Sequence, residues 1–386
     1  MAFRAARLPY DRAVREASET TATRFFGRVQ YDGTNYVGWQ TQPNGRGVQD
    51  ALEVRLSSLL GGRVYVAGSG RTDKGVHARD QVFHFELPLE DDKGSSSDGG
   101  ATDVGGAAGA SGGADAKDVP LGMAEKRQGD FQLGKVRHVQ LKAALTAADD
   151  TAVASVLESV LAGPRSDLPE DIKVMSIAVA PAGFHSRDSC VGKRYVYAVE
   201  EGIGSPFTNK YRWVLGRGKR LDVEKMAAAA ALLTGTHDFS TFGVREADDP
   251  RPPVKRMRRL EVRRASQRDA VSDAAAGAGG GGGGDGGGGG GDGGGDDRGG
   301  GVVTICAECD RFLYNMMRMV SGTLVQVGLG KLSVEDVGEL LRAKGRKGGD
   351  GAAVFKAPAQ GLCLERCFLE EEDGEWTDAP PPVAVG

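Results

Sequence analysis

The sequence GRTDKGVHA occupies residues 70–78 and runs, two residues later, into QVFHFEL at residues 81–87. Large apolar side chains occupy every second position of the second segment from Phe83 onward, as in a half-buried β-strand. The first segment therefore lies at the entrance of a strand, on a rigid support. Asp73 carries the one carboxylate of residues 70–78 and is a candidate reactive residue.

Asp73 stands among Arg71, Thr72 and Lys74 and is bracketed by two glycines. A carboxylate held among cations and backbone amides stays ionised and available as a nucleophile. Glycine, aspartate and lysine also crowd into ordinary surface turns, where a lone aspartate is a hydrogen-bonded turn residue. The nonapeptide alone leaves both interpretations open.

The first half of the chain predicts a strand, a helix and two more strands. Residues 25–31 alternate as a strand, and residues 48–60 place their apolar side chains at helical spacing. Strands near 63–67 and 81–88 complete the set.

The second half repeats this order. A strand at 193–200 precedes an alanine-rich helix at 222–234, which a glycine ends. Strands near 254–264 and 301–310 follow, and then a helix whose apolar stripe extends over residues 313–327.

The repeated order predicts an α+β fold made of two ferredoxin-like (RRM-like) halves. We expect the halves to join into one extended, mainly antiparallel sheet, with helices on one side and a central basic cleft. A last helix opens at Ser333, with Asp336 three residues on as in a capping box.

Two glycine-rich stretches, 91–118 and 269–300, hold 26 of the 60 glycines. They cannot bury enough apolar area to offset chain entropy, so they are predicted to be disordered. The predicted organisation is an N-terminal extension (1–23), an N-terminal catalytic half (24–183), a C-terminal half (184–369) and an acidic, disordered tail (370–386).

The net charge of −4 disfavours a nucleic-acid partner at first sight. Residues 90–118, 269–300 and 370–386 together carry a net −16, however, so the rest of the chain is near +12. Basic runs at 251–264 and 342–349 are candidate contacts to phosphates. Each run taken singly is equally consistent with a solvated basic face.

The chain has no apolar stretch of the ~18 to 20 residues that a membrane span needs, so no membrane association is predicted. Arginines in residues 1–23 allow an organellar transit peptide, while the acidic residues there argue against one. We expect an intracellular protein, either cytoplasmic or organellar (plastid or mitochondrion).

The cysteines form a CxxC at Cys306 and Cys309 and a CxxxC at Cys363 and Cys367. Such pairs are compatible with zinc. Cys306 lies in an apolar run that reads as a strand, which favours reduced structural thiols. No metal and no cofactor are predicted.

Six further segments spread along the chain carry polar and aromatic residues in a distinctive order. They are YDGTNYVGWQTQPNGRGVQDAL (31–52), LPEDIKV (168–174), FHSRDSCVGKRYVY (184–197), GTHDFSTF (235–242), FLYNMMRMVSGTLVQVG (312–328) and APAQGL (357–362). Together with GRTDKGVHA they resemble the tRNA pseudouridine synthases of the TruA family. The resemblance spans nearly the whole chain outside the inserts.

The resemblance implies isomerisation of tRNA uridines to pseudouridine, in the anticodon arm, by a homodimer without cofactors. The reaction breaks the glycosidic bond of a uridine and joins C5 of the uracil to C1′. One nucleophilic carboxylate is sufficient for this reaction, as in the related chemistry of retaining glycosidases. Attack at C1′, attack at C6 and elimination to a glycal stay open.

The resemblance also assigns residues. Asp73 is the catalytic nucleophile, Tyr195 stacks on the uracil and takes part in the closing deprotonation, and Arg318 pairs with Asp73. Arg71 helps to extrude the target base. A flipped base that stacks on an aromatic ring gains ~1 to 3 kcal/mol. The remaining expected substrate-binding residues are Thr72, Lys74, His77, Arg187 and Arg194.

The sequence has two rival interpretations. A catalytically idle RNA-binding protein or tRNA chaperone would use the same basic cleft. The absence of Asp73, Tyr195 or Arg318 would favour this interpretation, but all three residues are present. A phosphate-binding loop at 68–75 lacks the GK[ST] ending of a Walker A motif. Asp188 departs from the family pattern, which bears on RNA positioning more than on chemistry.

Overall fold

The computed structural model of the protein describes residues 23–43, 45–87, 139–164, 166–244, 252–265, 301–343 and 353–369. The predictions for residues 1–22, 91–118, 269–300 and 370–386 fall outside these ranges. No helix within them is both long and apolar enough to cross a bilayer.

Ten strands and five main helices make up the described fold. The strands are β1 (Arg24–Tyr31), β2 (Val66–Gly68), β3 (His77–Glu86), β4 (Ile172–Val179), β5 (Cys190–Glu200), β6 (Trp213–Val214), β7 (Gly235–Asp238), β8 (Val254–Arg264), β9 (Val302–Cys309) and β10 (Leu362–Leu369). The helices are α1 (Val48–Leu60), α2 (Asp150–Leu161), α3 (Val223–Leu233), α4 (Met316–Gly328) and α5 (Val334–Arg342), with a further helical stretch at 139–146.

All ten strands belong to one mixed sheet. Its order is β4-β1-β3-β10-β5-β9-β8-β7, with β2 paired to β3 and β6 paired to β5. The pairs β3–β10 and β5–β6 are parallel and the others are antiparallel. The predicted α+β class with one extended sheet is confirmed. The last strand of the described residues, β10, lies in the middle of the sheet and joins its two parts.

The core follows the predicted periodicities. Every second residue of β1, from Phe25 to Tyr31, is buried, as the alternation of a strand requires. Helix α4 is buried on nearly all sides rather than along one stripe, because it packs against α3 and lies under the 353–361 segment. One hydrophobic cluster runs through both parts of the sheet.

The helix ends are also as predicted. Ser333 Oγ accepts a hydrogen bond from the Asp336 amide at 3.1 Å, and the Asp336 carboxylate accepts one from the Ser333 amide at 2.7 Å, so the capping box is confirmed. Helix α3 stops at Leu233, and Gly235 follows with φ 118°.

Some elements differ from the prediction. Strand β3 begins at His77, four residues before the predicted start, because Ala78 already pairs with Tyr31 of β1 and Leu364 of β10. The strand predicted near 63–67 begins at Val66. Helix α2, β4 and β10 had no predicted counterpart.

Candidate active site between β3 and β10

Asp73 lies in the tight turn that connects β2 to β3. The Val76 amide donates to the Asp73 carbonyl at 3.1 Å, and Gly75 adopts φ 78°, which favours glycine. Gly38 forms a bridge to Asp73, and a side chain there would come within 2.5 Å of the Thr72 carbonyl oxygen. Backbone contacts from two sides therefore fix the position of Asp73.

Arg318, in the first turn of α4, reaches Asp73 from the other part of the sheet. Its Nη1 donates to Asp73 Oδ2 at 3.1 Å and to Asn315 Oδ1 at 3.2 Å, and its Nε donates to the Ala357 carbonyl at 2.9 Å. The two charged side chains are only 14% and 16% exposed. The pair is therefore largely shielded from solvent.

The helix start that presents Arg318 is unusual. Asn315, the residue before α4, adopts a left-handed conformation with φ 62°. Asparagine tolerates this region better than most residues, and here its side chain holds the guanidinium. No hydrogen-bond donor within the described residues reaches the second carboxylate oxygen, Asp73 Oδ1.

Tyr195 projects from β5 and is 8% exposed. Its ring packs edge-on against Phe312, with centroids 4.9 Å apart. Its hydroxyl makes no hydrogen bond to the part of the chain that the structure describes. Burial raises the pKa of Tyr195 well above its ordinary value, and the nearby Cys367 and Asp73 add to the effect. The phenol is therefore neutral, which suits stacking and hydrogen-bond donation.

A buried pair supports the Asp73 turn from beneath. The Tyr31 hydroxyl and Thr72 Oγ1 are 2.8 Å apart, and both side chains are almost fully buried. Burial raises the pKa of Tyr31 above its ordinary value, so the hydroxyl stays protonated. Thr72 was predicted to bind substrate, but its hydroxyl is hydrogen-bonded within the protein. The sequence had assigned Tyr31 only to the core face of β1.

His77 ties the turn to a loop that follows β5. Its Nε2 donates to the Lys210 carbonyl at 2.9 Å, and its Nδ1 lies 3.1 Å from both the Gly33 amide nitrogen and Asp32 Oδ1. Burial would raise the pKa of Asp32, but hydrogen bonds from His77 and Thr34 hold it well below its usual range. His77 therefore contacts the backbone and the Asp32 carboxylate.

The other predicted substrate-binding residues separate into two groups. Arg71 and Lys74 are exposed beside the turn, and Arg187 is half-buried in a cleft that Arg71 also lines. Arg194 lies on the opposite face of β5 from Tyr195 and donates to Glu308 at 2.8 Å. The structure thus brings Arg71 and Arg187 together in one cleft, leaves Lys74 exposed in the turn and directs Arg194 away.

Sequence reasoning missed Lys193. Its Nζ donates to the Ser69 carbonyl at 2.8 Å and lies against Gly70, next to the Asp73 turn. Lys193 stands two residues before Tyr195, so strand alternation alone places both on one face. That signal was present in the sequence.

The two cysteine pairs do not converge. Cys306 and Cys309 are on β9, Cys363 and Cys367 are on β10, and β5 lies between these strands. Strands are ~4.8 Å apart, so the pairs are separated by about twice that distance. Among the described residues no three or more histidines, cysteines or carboxylates form a group suited to a metal ion.

Comparison with known proteins gives consistent matches. A family model described as tRNA pseudouridine synthase matches residues 229–369. A protein of Geobacter sp. (strain M21), named tRNA pseudouridine synthase A, is 31% identical over 344 residues, which cover 89% of this chain and 97% of the relative. Proteins of the same name from Syntrophotalea carbinolica (31% identity, 89% and 96% covered) and Myxococcus xanthus (30%, 93% and 94%) are similar to the chain over comparable lengths.

Proposed function

The chain belongs to the tRNA pseudouridine synthase A family and isomerises tRNA uridines to pseudouridine; from this membership we propose that Asp73 is its catalytic nucleophile. The observation that carries the proposal is the pairing of Asp73 with Arg318 across the sheet, with one carboxylate oxygen left open. The pair lies beside a neutral tyrosine whose hydroxyl has no partner within the described residues.

When the glycosidic bond breaks, the open oxygen of Asp73 either attacks the target nucleotide or assists elimination to a glycal. Arg318 orients the carboxylate through its hydrogen bond to Oδ2. The freed uracil then turns within the pocket and bonds through C5 to C1′; on the route through attack at C1′, the bond from Asp73 to C1′ breaks in this step. C5 then loses its proton and N1 gains one, so the product is an isomer of the uridine. Because the uracil stays in a closed pocket while it turns, its rejoining to the sugar is effectively a unimolecular step.

Tyr195 and Arg71 act on the base rather than on the sugar. The uridine leaves its helical stack at a cost of a few kcal/mol, and stacking on Tyr195 returns ~1 to 3 kcal/mol. Arg71, which is exposed beside the turn, enters the space that the base vacates. The neutral phenol donates a hydrogen bond to a uracil oxygen.

We also propose that the sheet consists of two ferredoxin-like halves with a basic cleft between them. The order β4-β1-β3-β2 and the order β10-β5-β9-β8 both correspond to the 4-1-3-2 order of that fold, and every pair within them is antiparallel. This correspondence supports the predicted internal repeat.

The remaining parts of the proposal rest on the family resemblance. We propose uridines of the anticodon arm as the targets, a homodimer as the active form and an intracellular location. Mapping of modified positions and the elution volume of the purified protein at micromolar concentration test the first two.

The central test is to map pseudouridine in unmodified tRNA transcripts incubated with the wild-type protein and with Asp73→Asn. No cofactor is added. In the variant an NH2 group replaces one carboxylate oxygen and the side chain keeps its shape, so the conformation of the turn is retained. We expect conversion by the wild type alone.

Two results would contradict this expectation. Conversion by Asp73→Asn at the wild-type rate would remove Asp73 as the nucleophile. Binding of tRNA by both proteins with conversion by neither would favour the idle RNA-binding protein.

A further inference from the structure

A short stack of aromatic rings reaches the surface next to α4. The rings of Trp213, from β6, and Phe355 are nearly parallel, with an interplanar angle of 12° and centroids 5.6 Å apart. Trp213 also packs edge-on against Tyr197 of β5, with centroids 6.4 Å apart and an interplanar angle of 89°. The three rings therefore lead from the middle of the sheet to the surface.

Exposure increases along this stack. Tyr197 is fully buried, Trp213 is half-buried and packs against the hydrophobic core, and Phe355 is 43% exposed. One face of the Phe355 ring covers Trp213, as an offset-parallel pair requires, so the exposed area lies on its other face and its edge. A further planar ring can stack there without any rearrangement of the protein.

The backbone of Phe355 is fixed close to the active site. A Cβ on Gly322 of α4 would lie only 2.0 Å from the Phe355 carbonyl oxygen, so only glycine allows this approach. Two residues further on, the Ala357 amide donates to the Arg318 carbonyl at 3.0 Å, and the Ala357 carbonyl accepts from Arg318 Nε at 2.9 Å. Two residues of chain span at most ~7 Å, so the stack lies near the arginine that binds Asp73.

Lys356 adds a cation between the stack and the active site, and its side chain is exposed. Single exposed aromatic residues are common on protein surfaces. Here the exposed ring ends a stack, is fixed by its backbone and stands beside a lysine. Proteins that bind single-stranded nucleic acid combine these two groups, because the ring stacks on a base and the cation contacts the backbone.

We propose that a nucleobase next to the target uridine in the tRNA strand stacks on the open face of Phe355, with Lys356 at its phosphate. This inference rests on the proposed function and names a substrate contact of that same site. When the uridine leaves its helical stack, the neighbouring base loses a stacking partner. Phe355 replaces that partner, so it is a positioning residue and takes no part in bond breaking.

The first test measures tRNA binding by Phe355→Leu and Phe355→Tyr. Leucine keeps an apolar side chain and removes the ring, whereas tyrosine keeps the ring. We expect Phe355→Leu to raise the Kd about tenfold and Phe355→Tyr to bind like the wild type. Stacking neutralises no phosphate, so the salt slope of Phe355→Leu stays that of the wild type, while Lys356→Ala lowers it by about 0.7.

Tyr65→Leu is the matched control. Tyr65 is 45% exposed, close to the value of Phe355, but it lies at the other end of the sheet strand. It precedes Val66, which pairs with Phe85 of β3. Phe85 is eight residues, or about 26 Å, from His77 at the active-site end of that strand. The control should therefore leave the Kd unchanged.

The second test identifies the nucleotide. Single abasic nucleotides, which keep the phosphate and lack the base, replace the neighbours of the target uridine one at a time. One replacement should weaken binding to the wild type about tenfold and have no further effect on Phe355→Leu. The same replacement should weaken binding to Phe355→Tyr as it does for the wild type, which serves as the comparison if Phe355→Leu does not fold.

The proposal is overturned if the wild-type protein converts uridine but Phe355→Leu binds tRNA as tightly and no abasic position shows coupling. A changed elution volume of Phe355→Leu with an unchanged Kd would also overturn it, because the ring would then belong to a contact between two copies of the chain. If the wild type converts no uridine while an abasic position still couples to Phe355, the proposed chemistry fails and the stacking contact stands.

Discussion

Two arginine–carboxylate pairs in this protein show opposite designs. Glu201, at the end of β5, has a fully buried side chain whose two oxygens accept from both Arg264 Nη atoms, from Arg220 and from the Leu221 amide. Asp73 receives one side-chain hydrogen bond, from Arg318, within the described residues.

The difference distinguishes a pair that holds the fold from a pair that is available for chemistry. A buried carboxylate needs partners for its lone pairs, and Glu201 finds them all within the protein. Asp73 is positioned by backbone contacts and by one guanidinium, and it keeps an oxygen for a substrate. We therefore expect substitutions at the two sites to separate activity from stability.

The largest separation should come from Asp73→Asn and Glu201→Gln. The first variant loses ~10⁴-fold in single-turnover rate, because an amide is a poor nucleophile, and its melting temperature changes little. The second keeps the rate per folded molecule and loses about 2 kcal/mol of stability, a value reduced because its arginines are partly solvated. Single-turnover assays and urea unfolding measure both. Equal losses of activity would contradict the comparison.

Arg318 should affect both properties. Arg318→Ala leaves Asp73 without its cation, so we expect a rate loss of ~10²-fold or more and a stability loss of about 2 kcal/mol, below the ~3 to 5 typical of fully buried pairs. Arg318→Lys is the control: it keeps the charge but cannot reach Asp73, Asn315 and Ala357 together. Near-normal turnover of the alanine variant would refute the role of the pair.

Two tyrosines on β5 provide a smaller contrast. Tyr197 is fully buried and donates to the Pro358 carbonyl at 2.7 Å, whereas the Tyr195 hydroxyl has no such acceptor in the described part of the chain. Tyr195→Phe should lower kcat about 10- to 100-fold with little change in stability. Tyr197→Phe should cost about 1 kcal/mol in stability and leave kcat unchanged. A fall of kcat in both would indicate a shared packing effect.

The smallest expected effect is a pH dependence. Burial would raise the pKa of Glu201, but Arg264 and the Leu221 amide hold it below its ordinary 4.5. A lowered folded-state pKa contributes stability above about pH 4.5 that is lost as the pH falls through the folded value. The stability difference between wild type and Glu201→Gln should be constant from about pH 7 to 5 and shrink below 4.5. An undiminished difference at about pH 3.5 would contradict this.

The sequence predicted the parts of the fold that follow from local periodicity. The strand from Phe25 to Tyr31, the helix α1 and the capping box at Ser333 are set by alternation, by helical spacing and by hydrogen bonds over three residues. Strand β10 was missed because it lies between β3 and β5 through contacts distant in sequence, which no local pattern encodes.

At the site, the pairing of Asp73 with Arg318 was predicted from the family resemblance. Sequence spacing could not predict it, since 245 residues separate the two. The structure adds what such motifs do not contain: the hydroxyl pair of Tyr31 and Thr72, the His77 contact to Lys210, and Lys193 against Gly70. Each of these depends on the way strands are placed side by side. The catalytic roles and the domain boundaries stay predictions.

The close approach of β8 and β9 has a practical consequence. The Ala265 amide donates to the Val302 carbonyl at 2.7 Å, so the two ends of the 266–300 connection are neighbours. A chain cut within that connection would yield one fragment with Asp73 and Tyr195 and another with Arg318 and β10. The second fragment would have to insert β9 between β5 and β8 and β10 between β3 and β5. Recovery of pseudouridine formation on mixing would therefore report fragment complementation by strand insertion.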